Sequence, residues 1–303
     1  MILNSTLATD LYPLPDEGVL SLSGPDALSF LQGQTTANFI GLRYPTRVFG
    51  AFCDVKGRIL ADFMAVVIDS ETVLLRVSSD LCDWLTGHLG KYLQFSRASL
   101  MITDYLVVGV LKNDVQTNEH PGEEAEQCAP GWLVHKTVVT AELIVTAPAE
   151  LEQWPVGLVA GEENPPPWRL AMVKEAEVRV REATSGKYLP QDLNYDLSGW
   201  VAFDKGCYTG QEIIARLHWR GQPKRRLYMG PTDAEAWIGA TLSLGIDGPS
   251  RGSVVGAAPV EGGTLILAEA TEEISQGTLY IEGSEKPLTG FHACAEQRKA
   301  TDP

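Results

Sequence analysis

Lys205-Gly206-Cys207-Tyr208-Thr209-Gly210-Gln211-Glu212 is the stretch that decides the fold, and it runs on through Ile213 to Trp219 into Arg220-Gly221. Upstream, Gly199-Trp200-Val201-Ala202-Phe203 is short, apolar and aromatic, the texture of a strand. Downstream, Ile213, Ile214 and Leu217 recur at helical spacing. Thr209 stands three residues before Glu212 in the S/T-x-x-E pattern of a capping box, which predicts Thr209 as the N-cap. Gly221 supplies the stop signal. The local expectation is strand, glycine turn, capped helix.

That order puts Cys207 just ahead of a helix N-terminus, where free N–H groups and the macrodipole favour anions. Lys205, two residues away, adds a full positive charge. Both effects are expected to lower the thiol pKa and favour thiolate, making Cys207 a candidate reactive group with Lys205 as its electrostatic partner. A small cysteine filling a tight strand–helix corner is the alternative, and these residues leave the two readings open.

Lys205 to Glu212 resembles the signature of the YgfZ family, the folate-binding relatives of the glycine cleavage T-protein. Three further segments agree with that family and occur in its order: Phe30-Leu31-Gln32-Gly33-Gln34-Thr35-Thr36, Asp54-Val55-Lys56-Gly57-Arg58-Ile59 and Leu189-Pro190-Gln191-Asp192-Leu193-Asn194. The resemblance therefore covers most of the chain.

A length of 303 residues suits about two domains. Hydrophobic content of 44% with 21% charge is that of a soluble globular protein. No apolar run reaches the roughly 18–20 residues of a membrane helix, so no membrane partner is expected. The N-terminus lacks a basic n-region and a long apolar stretch, so no secretory signal is expected there. Cys53, Cys82, Cys128, Cys207 and Cys294 are odd in number, widely spaced and without a C-x-x-C. Neither a disulfide framework nor a compact metal site is indicated, and a cytoplasmic location fits best. A net charge of −15 argues against a protein that coats nucleic acid. Yet Lys205, Arg216, Arg220, Lys224, Arg225 and Arg226 stand against Glu212 alone, a basic island that suits a localised anionic partner.

Along the chain, Glu17–Ser23 reads as a strand, and Ser23-Gly24-Pro25 opens a helix that Gly33 ends. Gln32, Gln34, Thr35, Thr36 and Asn38 then form a cluster of neutral hydrogen-bonding groups suited to a polar heterocycle. Strands are expected over 47–54, 58–68, 71–77 and 105–111, with a helix over 80–92. Residues 118–126 read as an acidic surface loop, 132–136 and 142–146 as short strands, and 164–167 as a proline linker. A helix over 168–174 precedes a loop, 185–196, rich in Gln, Asp, Asn and Tyr. After Arg226, short β-type runs alternate with glycines and read as a small antiparallel barrel or sandwich. The pattern is α+β.

The resemblance implies a T-protein-like, aminomethyltransferase fold of three lobes. Residues 1–225 would form the folate-binding region as two interleaved α+β lobes, the inner one near 46–155, and 226–303 the C-terminal β-barrel. It implies a reduced folate, tetrahydrofolate, as cofactor. Candidate contacts are Gln32, Gln34, Thr35, Asp62, Gln191, Asp192, Asn194, Tyr208 and Gln211, with Arg216 and Arg226 for the glutamate tail. It also implies a role in iron–sulfur cluster assembly or maintenance, with iron–sulfur client enzymes or assembly proteins as partners. These clients include enzymes of tRNA modification and processing. Two departures from the T-protein speak against aminomethyl transfer. Its paired Asp-Asp is Ala61-Asp62 here, and its Arg-x-Glu-x-Gly is Arg169-Leu170-Ala171-Met172-Val173. A folate-dependent one-carbon transferase, with Asp62 as the surviving carboxylate, is the second reading. Direct tRNA binding by the basic island is the third.

Overall fold

The computed structural model describes residues 9–112, 125–128, 131–135, 140–145 and 166–294. The first ten strands are β1 (Thr9–Pro13), β2 (Glu17–Ser23), β3 (Thr46–Cys53), β4 (Ile59–Val67), β5 (Thr72–Ser78), β6 (Ser99–Ile102), β7 (Leu106–Lys112), β8 (Ala125–Cys128), β9 (Gly131–His135) and β10 (Thr140–Val145). Helices α1 (Ala27–Gln34), α2 (Cys82–Leu93), α3 (Pro166–Lys174) and α4 (Gln211–Arg220) punctuate the chain. The remaining strands are β11 (Arg225–Thr232), β12 (Thr241–Leu244), β13 (Ser250–Val260), β14 (Gly263–Thr271), β15 (Leu279–Ile281), β16 (Pro287–Leu288) and β17 (His292–Ala293). The chain divides into two compact units. Unit 1 is Met1–Phe52, Ala61–Trp168 and Asp204–Thr209; unit 2 is Cys53–Leu60, Arg169–Phe203 and Gly210–Pro303.

Unit 1 is built on two five-stranded sheets, ordered β3-β4-β5-β2-β6 and β1-β7-β10-β9-β8. Strand β4 is buried along almost its whole length and, Asp62 apart, is apolar, as an interior strand of a covered sheet is. Phe52, Phe63, Leu20, Leu22, Leu31, Leu75 and Leu85 fill this core. Ionisable side chains are buried with them, Arg76, Asp62 and Glu142 among them. The Arg76 guanidinium donates to Glu142 at 2.7 and 3.2 Å and meets Glu17 at 3.5 Å, so it enters the interior fully paired.

Unit 2 carries a seven-stranded antiparallel sheet, β16-β15-β12-β13-β14-β11-β17, that curls into a half-barrel. Register shifts at Leu242/Ser243 and at Val254/Gly256 supply the bends. Leu242, Val254, Ile266, Ala268, Leu279 and Ile281 line its inner face. The barrel-like texture after Arg226 is thus borne out.

Several expectations are corrected. Gly199–Phe203 is a run of turns and bends, not a strand; its Trp200 ring stacks on Tyr195 with centroids 4.5 Å apart, burying the aromatics without extended backbone. Helix α1 begins at Ala27 behind Asp26 and ends at Gln34, later than the proline and glycine signals suggest. The Asp26 carboxylate is drawn to Arg97 at 2.8 Å instead of capping the helix. Ala125 and Glu126, read as loop, belong to β8; residues 118–124 of that expected loop lie outside the described residues. The same holds for the first two residues of the proline linker, whereas Pro166 and Pro167 open α3. Among the described residues no helix is long and apolar enough to cross a membrane.

Candidate functional site

The signature segment is pinned by its lysine. The Lys205 ammonium donates to the carbonyls of Gln32 at 2.8 Å, of Thr35 at 2.7 Å and of Ala37, all within unit 1. An ammonium has three donors, and here all three are taken. The acceptors belong to the C-terminal end of α1 and the turn beyond it, where carbonyls have no helical partner and the dipole is negative. Burial pushes the Lys205 pKa down to about 8, while the three acceptors favour the charged form. The ammonium also sits 4.9 Å from the centre of the buried Tyr208 ring. Lys205 is therefore a clamp that fastens its segment to the turn after α1, with no donor left to offer a thiolate.

Between these two anchors, Cys207 is exposed. The corner-filling alternative is closed by that exposure, because a packing cysteine is enclosed, as Cys53, Cys82 and Cys294 are. Burial raises the Cys53 thiol far beyond its ordinary range and lifts Cys82 to about 11, so both are held as thiols.

The turn after α1 spends most of its polar groups on itself. The Gln32 side chain accepts from the Phe39 N–H at 2.7 Å and donates to Asn38 Oδ1 at 3.1 Å. Thr35 Oγ1 donates to the Leu31 carbonyl at 2.9 Å, and Thr36 Oγ1 accepts from the Ala51 N–H at 2.9 Å. Gln34 and Asn38 are half-buried, whereas the side chains of Thr35 and of Asp62, on β4, are wholly enclosed.

Within unit 2, Gly210 is the N-cap of α4, with φ +85° and no side-chain capping bond, so the expected Thr209 capping box does not form. Gly210 is required where it stands. A Cβ there would lie 2.5 Å from the Asp54 carbonyl and 3.0 Å from Gly57 Cα. Gly57, at φ +75°, closes the turn in which Asp54 Oδ1 accepts from the Lys56 and Arg58 N–H groups at 2.8 and 2.9 Å. Two of the segments singled out in the sequence thus meet, glycine against glycine. Gly221 ends the helix as expected.

The segment 185–196 folds against the same region. Pro190–Leu193 forms a 3-10 turn, Gln191 Nε2 donates to the Ile214 carbonyl at 2.9 Å, and Gln191 Oε1 is buried with no partner. Asp192 accepts from the Leu189 N–H at 2.8 Å, and burial pushes its pKa up against that bond and against Arg225, Arg58 and Arg226. Asn194 holds a left-handed backbone at φ 56° and accepts from the Leu227 N–H at 3.4 Å. Arg226 is spoken for by Asp196, at 2.6 and 3.0 Å, and by the Gln191 carbonyl at 3.1 Å. Beside them Arg225 grips Glu269 at 2.8 and 2.9 Å, and Ser253 links Glu269 to the Tyr188 hydroxyl. Gln211 is half-buried and Arg216 exposed on α4. Of the sequence candidates, Lys205, Tyr208, Gln32 and Thr35 come together in unit 1, and Gln191, Asp192, Asn194 and Arg226 in unit 2. Ser253 and Glu269 carry no local pattern because they meet through the pairing of β13 and β14, and Tyr188 reaches Ser253 from the 185–196 segment. Among the described residues no group of three His, Cys, Asp or Glu side chains is placed to hold a metal.

The chain resembles known proteins in sequence and in fold. The chain is 31% identical over 236 residues to a tRNA-modifying protein YgfZ of Photorhabdus laumondii, covering 74% of this chain and 71% of that one. Over 277 residues it is 28% identical to a tRNA-modifying protein YgfZ of Aliivibrio fischeri, covering 88% and 86%. The structure matches that of the glycine cleavage system aminomethyltransferase T of Bartonella henselae with a TM-score of 0.72 and 14% identity, over 93% of this chain and 84% of that one. The T-protein-like fold is therefore shown. No protein-family model matches the chain.

Proposed function

The chain belongs to the YgfZ family, and from that premise we propose that it is a tetrahydrofolate-binding accessory factor supporting tRNA modification through iron–sulfur client enzymes, with Cys207 as its reactive group. The observation that carries this reading is the display of one thiol: Cys207 is exposed between Lys205, held by three carbonyls, and Tyr208, held by burial. A nucleophile or transient ligand needs accessibility together with a fixed backbone, and Cys53, Cys82 and Cys294 lack the first.

Folate binding is supported by the fold and by the polar group of unit 2. The unpartnered Gln191 Oε1 is a buried acceptor that a ring N–H or an ordered water would satisfy. Asp192, with its raised pKa, is the carboxyl group suited to a pterin edge. Asn194 frames that pair, and the exposed Arg216 suits the carboxylates of a glutamate tail. Arg226, committed to Asp196, positions the turn rather than the ligand. When bound, the folate supplies one-carbon chemistry. A transferase in its own right would need Asp62 to come within hydrogen-bond reach of a substrate, and that side chain is wholly enclosed.

Two measurements test the reading. Calorimetry with tetrahydrofolate is expected to show saturable heat, and its absence together with no thermal shift would remove the folate. In a deletion strain, Cys207→Ser is expected to abolish the activity of an iron–sulfur tRNA-modifying enzyme while leaving folate binding in place. Restoration of that activity to the wild-type level would remove the thiol.

A further inference from the structure

Of the outer face of helix α4, folate binding accounts for Arg216 alone. Glu212, Ile213, Arg216, Trp219 and Arg220 recur at three- and four-residue spacing, and all five are exposed. Trp219 is 69% exposed, the most exposed tryptophan among the described residues. It is held in place by neighbours. The His218 ring meets it edge-on with centroids 4.6 Å apart, and Phe203 lies at 6.3 Å and 75°. Phe203 and His218 are themselves stacked at 3.6 Å and 14°. The result is a braced aromatic step that leaves one indole open to solvent.

Arg216 and Arg220 share the helix with Trp219, and Lys224 follows four residues past its end. Arg216, Arg220 and Lys224 are exposed, and none of them pairs with a carboxylate among the described residues. The next two residues behave differently, since Arg225 pairs with Glu269 and Arg226 with Asp196. Three uncommitted cations on a body of net charge −15 mark a place where a polyanion binds and the rest of the surface repels it. An open aromatic ring within such a patch selects an unstacked base over a closed duplex, because every base has a face to stack and a duplex hides it.

We propose that this face of α4 binds an unpaired RNA base, with Trp219 stacked on it and Arg216, Arg220 and Lys224 on the flanking phosphates. The inference takes from the proposed function only the choice of tRNA as probe. The charge favours a nucleic acid over an apolar protein surface, and the single exposed ring favours a loop or strand end over a helix.

The test is fluorescence anisotropy of a labelled tRNA transcript and its anticodon stem-loop, titrated with the full chain across a potassium chloride series. Binding is expected to weaken with salt at a log–log slope of about −2, from three phosphate contacts at roughly −0.7 each. Trp219→Ala is expected to bind roughly 5- to 150-fold more weakly at an unchanged slope. Trp219→Phe should retain most of the affinity. Arg220→Ala/Lys224→Ala should flatten the slope by about 1.4. A blunt RNA duplex of the same length should bind least.

No anisotropy change at the lowest salt, or an affinity that Trp219→Ala leaves untouched, would overturn the inference. So would a Trp219→Ala protein that keeps its RNA affinity but loses tRNA modification in cells, which would assign the face to a protein partner. Calorimetry with tetrahydrofolate on the same preparations separates the two readings. Protein that takes folate but no RNA sinks this inference alone, and protein that takes RNA but no folate sinks the folate reading alone.

Discussion

Replacing Lys205 by methionine keeps the side chain long and removes all of its hydrogen bonds, to the carbonyls of Gln32, Thr35 and Ala37. Thr35 and Ala37 are buried, so each stranded carbonyl costs about 1–3 kcal/mol. Gln32 is half-buried, and water replaces the lysine there at little cost. Loss of the ammonium over Tyr208 adds roughly 0.5–1 kcal/mol. Against this, the variant no longer desolvates a charge, which returns part of the loss. The net is on the order of 2–4 kcal/mol, concentrated in the turn after α1. Amide hydrogen exchange reads it directly, because the Phe39 N–H is bonded to Gln32 Oε1 and the Thr36 N–H to the Ala51 carbonyl. Both amides should exchange roughly 30- to 1000-fold faster in Lys205→Met. Lys205→Arg should recover little, since a planar guanidinium cannot point three donors at carbonyls gathered round one nitrogen. Alkylation of Cys207 gives a second readout. A lysine acting on the thiol through its charge predicts slower alkylation in Lys205→Met, whereas a clamp predicts equal or faster alkylation as the segment loosens. Wild-type exchange at Phe39 and Thr36 in the variant would refute the clamp.

Three further outcomes are expected. The signature glycines should separate by stability: Gly210→Ala, with its left-handed φ and a Cβ 2.5 Å from the Asp54 carbonyl, should cost on the order of 2–4 kcal/mol, whereas Gly206→Ala, with nothing within 4 Å, should stay within about 0.5 kcal/mol by urea unfolding. Iodoacetamide followed by mass spectrometry should modify Cys207 before Cys53, Cys82 or Cys294 in folded protein; Cys82 reacting as fast would show that burial does not govern the order. The Lys205 pKa falls to about 8 from an ordinary 10.5, so the native state releases this proton first as pH rises. Between those values the unfolded chain binds more protons, and stability rises with pH. The gap in unfolding free energy between wild type and Lys205→Met should therefore widen from about pH 8 to about pH 10. A gap that stays flat or narrows would mean that the three carbonyls hold the proton against burial.

What the sequence reveals and what it hides divide along physical lines. Strand β2 matches its expected bounds, and β3, β4, β5 and α4 lie within two residues of theirs, because each carries its own apolar pattern or stop signal. The strands not anticipated, β1, β6, β8, β16 and β17, all sit at sheet edges, where little is buried and alternation is weak. Thr209 and Glu212 satisfy the local pattern of a capping box, yet the approach of the Asp54–Gly57 turn sets the helix start at Gly210. Gly199–Phe203 has strand composition, but its aromatics are satisfied by stacking within turns. Cys207 is legible as a candidate from its neighbours in sequence. The occupation of Lys205 is not, because its acceptors lie far upstream and have no side-chain identity to recognise.

The distance along the chain between the Lys205 ammonium and its acceptors also orders events on the ribosome. The carbonyls of Gln32, Thr35 and Ala37 emerge 168 to 173 residues before their donor. At about 5–20 residues per second, they wait roughly ten to thirty seconds for it. During that interval the three carbonyls of the turn after α1 are left to water. Only the six-residue visit of Asp204–Thr209 to unit 1 closes it. A message truncated ahead of Lys205 would therefore yield sheets that assemble but never seal, and proteases would find the opening at the turn after α1. The same lysine that steadies the displayed thiol certifies that the polypeptide carrying it has been made past that point.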